Sequence, residues 1–353
     1  MTKQFCPYSS VARTVGRILF SAVIVAAWAI VVPAKADSVQ DFYKNNHITI
    51  VVGSPPGASY DAYGRILARH FGSHLPGNPD VIISNKPGAG SLSAANVLYN
   101  DPRKDGATLG MLGQSIYFMQ MLDIPNVEYD APKYNWIGRM TNVIDVVVLW
   151  HEAKVKSLAD AYKMPVSIAV GGALSGSTLY VNFMNAMLGT KIVPTKGYES
   201  AEAFLAMQRG EVDGTGSANW YGLQAQHGDE LKQKKLNIMV QIGLHKAPGL
   251  EDVPLFPELA TNEHDRKILV ALATTDEIAR TVVAPPGVPK DRIDALRRGF
   301  MDTMKSANFL ADAEKAHLPI NPMDGEALTK LVIDSGAGFT PDMIADIKKM
   351  ANK

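Results

Sequence analysis

Four times along the chain a short apolar run ends in a loop of small residues and passes into a helical pattern. The first unit is the fullest. Ile48-Thr49-Ile50-Val51-Val52 reads as a buried strand. Gly53 to Tyr60 is a Gly/Pro/Ser loop, and after Asp61 the residues Ile66, Leu67, Phe71 and Leu75 fall on one helical face. Val81 to Asn85 leads through Gly88–Ser91 into a helix at Leu92 to Tyr99, with Ser91 or Ser93 as its cap. Val166 to Val170 leads through Gly171–Thr178, and Ile192 to Pro194 through Thr195–Tyr198. A further strand, Thr108 to Leu112, runs into Gly113-Gln114-Ser115, and Thr215 to Trp220 carries Asn219. Repeated units of this kind argue for an α/β fold with mostly parallel strands. The loops then gather at the carboxyl ends of the strands, where ligands bind in open sheets. A helix start there favours an anion, through its unpaired N–H groups and the positive end of its dipole.

The first residues read as an export signal. Lys3, Arg13 and Arg17 precede the apolar run Ile18 to Val32, and Ala34-Lys35-Ala36 has the form of a signal-peptidase site. Cleavage after Ala36 is expected, with an uncleaved membrane anchor as the rival reading, and a periplasmic mature protein is expected from it. The run is about 15 residues, short of the ~20 that span a bilayer. Removing the first 36 of the 353 residues leaves 317, enough for two domains of ordinary size. Cys6, the single cysteine, goes with the signal, which excludes disulfides, thiolate metal sites and cysteine nucleophiles from the mature chain. The whole chain balances 35 basic against 35 acidic residues. Without Lys3, Arg13, Arg17 and Lys35 the count is 31 against 35, a net charge of −4, so no basic nucleic-acid surface is expected.

Composition changes near Trp136–Val148, where Trp136 to Met140 and Val143 to Trp150 are strand-like with little between them. A chain passing from one domain to another has this form. Asp37 to Asn46 reads as a polar lead-in, and Ser157 as an N-cap.

Catalytic patterns are missing. The sequence has no G-x-S-x-G elbow, phosphate loop or dinucleotide fingerprint, and its eight histidines are scattered without ligand spacing. Asp61, Asp145 and Asp213 are carboxylates with structural roles open to them at a helix start, a strand end and a turn. What remains are the four loops and their hydroxyls, Ser54, Ser59, Ser91, Ser175, Ser177, Thr178 and Thr195. With backbone N–H groups these suit carboxylate oxygens without a charged clamp. Arg65 and Lys86 lie near the loops in sequence and fit solvated surface charges equally well. Tyr60, Tyr198, Trp220 and Tyr221 fit either the wall of an apolar ligand part or plain packing.

The ordered set of short motifs resembles the Bug family, extracytoplasmic solute receptors of tripartite tricarboxylate transporters. The motifs are Ile48 to Val52 through Pro56-Gly57 to Asp61 and Arg65, Asn85-Lys86-Pro87-Gly88-Ala89-Gly90, and Asp105-Gly106-Ala107-Thr108-Leu109. Gly197-Tyr198, Arg209-Gly210-Glu211-Val212-Asp213, Asp252-Val253-Pro254 and Ala284 to Pro289 continue the set over the rest of the chain. The resemblance implies a two-lobe periplasmic binding protein of the Venus-flytrap, type II-like kind, each lobe a mostly parallel sheet flanked by helices. Lobe 1 is expected at 37–143 and 276–353, lobe 2 at 144–275. It further implies a monomer that captures a small carboxylate without catalysis or cofactor, partly through bridging water, and hands it to a permease of small and large membrane subunits. A sensor docking on a signalling partner and, behind it, a secreted α/β enzyme are the alternatives.

The loops Ser54–Asp61 and Ser175–Thr178 would face each other across the cleft with Gly88–Ser91 beside them. The candidate ligand contacts are Ser54, Pro56, Gly57, Ala58, Ser59, Tyr60 and Asp61 from the first loop, and Gly88, Ala89, Gly90, Ser91 and Gln114 beside it. Ser175, Gly176, Ser177, Thr178, Gly197, Tyr198 and Asn219 complete the set. Ala58 and Ser91 stand where the family often has glycine, and Leu179-Tyr180 follow Thr178 where a histidine is often found. These departures bear on which acid fits.

Overall fold

The computed structural model describes residues 1, 38–172, 175–198, 200–337 and 339–351. The signal segment with its cleavage site lies outside the described residues. In chain order the elements are α1 (Val39–Asn45), β1 (Ile48–Val52), α2 (Ser59–Phe71), β2 (Val81–Asn85), α3 (Leu92–Tyr99), β3 (Thr108–Leu112), α4 (Ser115–Met121), β4 (Asn135–Arg139) and β5 (Asp145–Trp150). Next come α5 (Leu158–Ala161), β6 (Val166–Val170), α6 (Gly176–Phe183), β7 (Ile192–Lys196), α7 (Ser200–Gln208), β8 (Gly214–Asn219), α8 (Trp220–Gln226), α9 (Gly228–Lys232) and β9 (Leu236–Ile242). The chain closes with α10 (Glu263–Glu277), β10 (Thr281–Ala284), α11 (Lys290–Lys305), α12 (Ala307–Lys315), β11 (Met323–Asp324), α13 (Gly325–Ala337) and α14 (Pro341–Ala351).

Two mixed sheets result. The first has the order β11-β4-β10-β3-β1-β2, the second β7-β6-β8-β5-β9. In the first, β2, β1 and β3 run parallel, while β10 is antiparallel to both β3 and β4. In the second, β7, β6 and β8 run parallel, and β5 is antiparallel to β8 and β9. The parallel trios are the strand–loop–helix units of the sequence, and their loops emerge on one edge of each sheet.

Side-chain alternation packs helices on both faces of each sheet. Ile48, Ile50 and Val52 face a core shared with α1, α2, α11 and α12, whereas Val51 faces the core under α3, α4 and α13. On β5, Val147 and Leu149 join α5, α6 and α10, while Val146 and Val148 join α7 and α8. Helix α4 serves both sheets: Ile116, Tyr117 and Met119 lie in the first-sheet core, Phe118 in the second.

The strand-like stretch at Trp136–Val148 divides between the sheets, β4 in the first and β5 in the second. The chain returns between α10 and β10, and the two crossing segments are bonded together. Met140 N donates to Arg280 O (3.1 Å) and Val143 N to Asp276 O (3.0 Å). Arg139 Nη1 donates to Glu277 Oε2 at 2.6 Å, a buried pair, and Asn142 Nδ2 to Glu277 Oε1.

Three expectations are corrected. The polar lead-in is helical, because Phe42 and Tyr43 have a core to enter, and Tyr43 OH donates to Gly106 O. Residues 276–353 do not stay together. Met343, Ile347 and Met350, one stripe of α14, lie in the second-sheet core beside α6, since that stripe needs an apolar surface to cover it. Ser91 occupies the N-cap position of α3 without capping it, for the reason given next.

Candidate functional site

Glycine and serine build the first loop cluster. Ser91 Oγ donates to Gly53 O (2.9 Å) and accepts from Gly113 N (2.9 Å), so one buried hydroxyl ties the ends of β1 and β3 together. Both glycines are required there: a Cβ on Gly53 would lie 2.2 Å from Ser91 Oγ, and one on Gly113 2.9 Å. Ser91 is therefore a strut, and its left-handed backbone (φ 78°) fits the loop rather than a cap. Gly88, Ala89 and Gly90 share the positive-φ turn that delivers it, and Ser115 Oγ reaches Gly90 O.

Asp61 organises the first loop from beneath. Its buried carboxylate accepts from Gly57 N, Arg65 Nε and Asn85 Nδ2, each at 2.8 Å. Arg65, outweighing burial, with Gly57 and Asn85, pulls its pKa down to about 2. Arg65 is thus tied to the loop rather than free in solvent. Asp213 is likewise structural, accepting from Ser167 N and Oγ at 2.8 Å. Over Asp61, helix α2 begins without a cap. Ala58 is at the N-cap with the extended backbone of a cap (φ −71°, ψ 164°) but offers no side-chain acceptor. Pro56 and Ser59 are exposed beside it, and the Ser54 hydroxyl is buried with no partner.

The second loop is self-sufficient. Ser175 caps α6, its Oγ accepting from Thr178 N (3.3 Å), and lies 2.9 Å from Ser177 Oγ. Ser177 Oγ accepts from Gly171 N, and Thr178 Oγ1 donates to Gly171 O. Gly197 N and Tyr198 N both donate to Val170 O beside it. Asn219 is spent in part on capping α8, its Oδ1 accepting from Gly222 N. Trp220 is packing, buried with its Nε1 on Pro248 O.

Gln114, a candidate contact, joins the two clusters together with Asp276 and Arg280, which sequence reasoning passed over. Gln114 receives Tyr60 OH on its Oε1 (3.0 Å) and gives Nε2 to Asp276 Oδ1 (2.7 Å). Tyr180 OH, on the helix that Ser175 caps, donates to the same carboxylate at 3.2 Å. Arg280 lies 4.4 Å over the Tyr60 ring, with Nη1 on Gln114 Oε1 (3.4 Å), Nη2 on Ser59 Oγ (3.0 Å) and a buried Nε without partner. Burial, aided by Asp145, holds Asp276 well above the usual carboxylate range. Asp145 is raised by burial against the pull of Ser217 and Arg280. No local signal marks Asp276 or Arg280, which stand at a helix end and before a strand. Among the described residues no group of three or more His, Cys, Asp or Glu side chains is placed to hold a metal ion, and no helix is long and apolar enough to cross a membrane.

No family model matches the chain. A UPF0065 protein of Cupriavidus necator is 23% identical over 304 residues, covering 84% of this chain and 85% of the relative. Over most of its length the chain is thus similar to UPF0065 proteins. Solved structures of the group share the fold. A TctC solute-binding protein from Polaromonas superposes with a TM-score of 0.65 at 18% identity, over 88% of this chain and 99% of that one. An R. palustris protein solved with adipate gives 0.61 at 19% identity, over 87% and 98%. MatC of Rhodopseudomonas palustris, solved with bound malate, gives 0.58 at 16%, over 87% and 99%. These are type II periplasmic binding protein folds, as the two sheets and their crossings are here. The loops described above hold most of the candidate contacts, with Asp61 and Ser91 turned to support.

Proposed function

We propose that the chain is a periplasmic receptor that captures a small carboxylate between the loops Ser54–Asp61 and Ser175–Thr178 and delivers it to a membrane permease of small and large subunits. One observation carries the reading: the uncapped start of α2 and the Arg280 guanidinium meet at Ser59. A helix N-terminus and a cation at one spot favour an anion, and the carboxylate would take the place of the missing cap. The structures of relatives with adipate and malate support the same class. Because Gln114 and Tyr180 share Asp276, ligand contact with either loop is coupled to the position of the other, and a ligand that touches both favours the closed population.

The test is thermal denaturation of the purified mature protein against mono-, di- and tricarboxylates, with mass spectrometry of any acid carried through native purification. A matching acid raises the melting temperature by mass action. No shift with any acid, and no acid carried along, sinks the carboxylate reading. Capture of the two permease subunits from solubilised membranes by the liganded protein tests the delivery step.

A further inference from the structure

An apolar cavity opens off the same site. Its walls are Phe118, Met119 and Leu122 from α4 and the turn after it, Leu179 from α6 and Leu272 from α10. Ile124 adds to the apolar wall, Tyr180 and Thr275 bring hydroxyls to it, and Gln114, Ser115 and Gly176, which belong to the two loop clusters, complete its lining. Gln114 is the shared wall: the side chain that lines the cavity also touches Arg280 (3.4 Å) and Asp276 (2.7 Å). The cavity measures about 70 Å³. That is about half the roughly 150 Å³ apolar cavity that accepts benzene, so it suits a short chain of carbons.

We propose that this cavity is a tail subsite and that the preferred ligand is a monocarboxylate with an unbranched apolar tail of about three to five carbons. The proposal rests on the carboxylate reading above and deepens it. The head group lies at Ser59 and Arg280, and the tail passes Gln114 into the space between α4, α6 and α10. A second carboxylate at the far end of such a chain would be buried among Phe118, Leu122 and Leu272, where no cation lines the wall. Dicarboxylates of the same length are therefore poor ligands. Each methylene that enters gains about fourfold in affinity, until the cavity is full.

The experiment is calorimetric titration of the mature protein with straight-chain monocarboxylates from two to ten carbons and with adipate and malate. It is repeated on two variants that fill the cavity, Leu179→Phe and Ile124→Trp. Ile124 is only partly buried, so its variant keeps the test alive if Leu179→Phe fails to fold, and thermal melts check both. The expected result is affinity rising about fourfold per carbon to an optimum near four to six carbons and then levelling. The filling variants abolish that rise and leave the shortest acids unchanged. Binding of adipate or malate above every monocarboxylate, or a chain-length profile indifferent to both variants, overturns the tail subsite and leaves the carboxylate reading standing. Absence of binding by every acid overturns both.

Discussion

The two loops that begin α2 and α6 have one design and opposite chemistry. At α6 the cap is present: Ser175 accepts from Thr178 N, and three hydroxyls and Gly171 satisfy one another. At α2 the cap is missing. Ala58 has the backbone of a cap without the oxygen, and charge surrounds the gap, Asp61 and Arg65 on one side and Arg280 on the other. The second loop is a finished surface, whereas the first, on the function proposed above, is finished by its ligand. On that proposal, rigidity on one side and an open valence on the other put recognition mainly on the first loop.

The contrast breaks most visibly at Asp61. Asp61→Ala strips the acceptor from Gly57, Arg65 and Asn85, and about 2–4 kcal/mol of stability is expected to go with it. Thermal melts would then fall by roughly 3–6 °C. The pH dependence has a definite sign. Asp61 titrates near 2 in the folded protein against 3.8 ordinarily, so its stabilisation is complete above about pH 4 and is lost as pH falls through 2. The variant should lack that part of the acid limb, and an unchanged limb would remove Asp61 as organiser.

Arg280→Gln comes next. Loss of the cation at Ser59 should weaken carboxylate binding about 10- to 100-fold, some 1.4–2.8 kcal/mol. A titration showing the same affinity would leave the α2 start alone as the anion site. Ala58→Ser is smaller and more pointed. It supplies the missing cap, so the unliganded protein should gain about 1 kcal/mol in urea unfolding while ligand affinity drops several-fold. A gain in both would mean that ligand does not occupy the cap position. Ser175→Ala, the mirror change, should cost about 1 kcal/mol or less and disturb affinity least.

Much of this was legible locally. Strand Ile48–Val52, its loop and the helix after it needed only β-branched residues, Gly-Pro punctuation and an apolar stripe. The Trp136–Val148 stretch betrayed the passage between sheets by containing two strands and no connecting helix. The misreadings have one cause. Val39–Asn45 was too short and polar to signal a helix, and only the pocket awaiting Phe42 and Tyr43 makes it one. Helices α8 and α9 were likewise silent, their few apolar residues Trp220 and Leu223 being paid for by a core formed elsewhere. Ser91 had the right chemistry for a cap, but Gly53 and Gly113 claimed its hydroxyl first.

Periodicity and turn chemistry, which act over a few residues, settled that this is an α/β chain whose small-residue loops follow its parallel strands, and the order of its motifs gave the resemblance. Packing settled the rest, because the deciding partners lie far apart in the chain. Arg280 meets Ser59 across 221 positions, and Gln114 meets Asp276 across 162. A guanidinium before a strand and a carboxylate at the end of a helix carry no local mark of function. They come together only when two crossings join the sheets, Arg280 reaching Ser59 and Gln114 while Asp276 takes Gln114 and Tyr180.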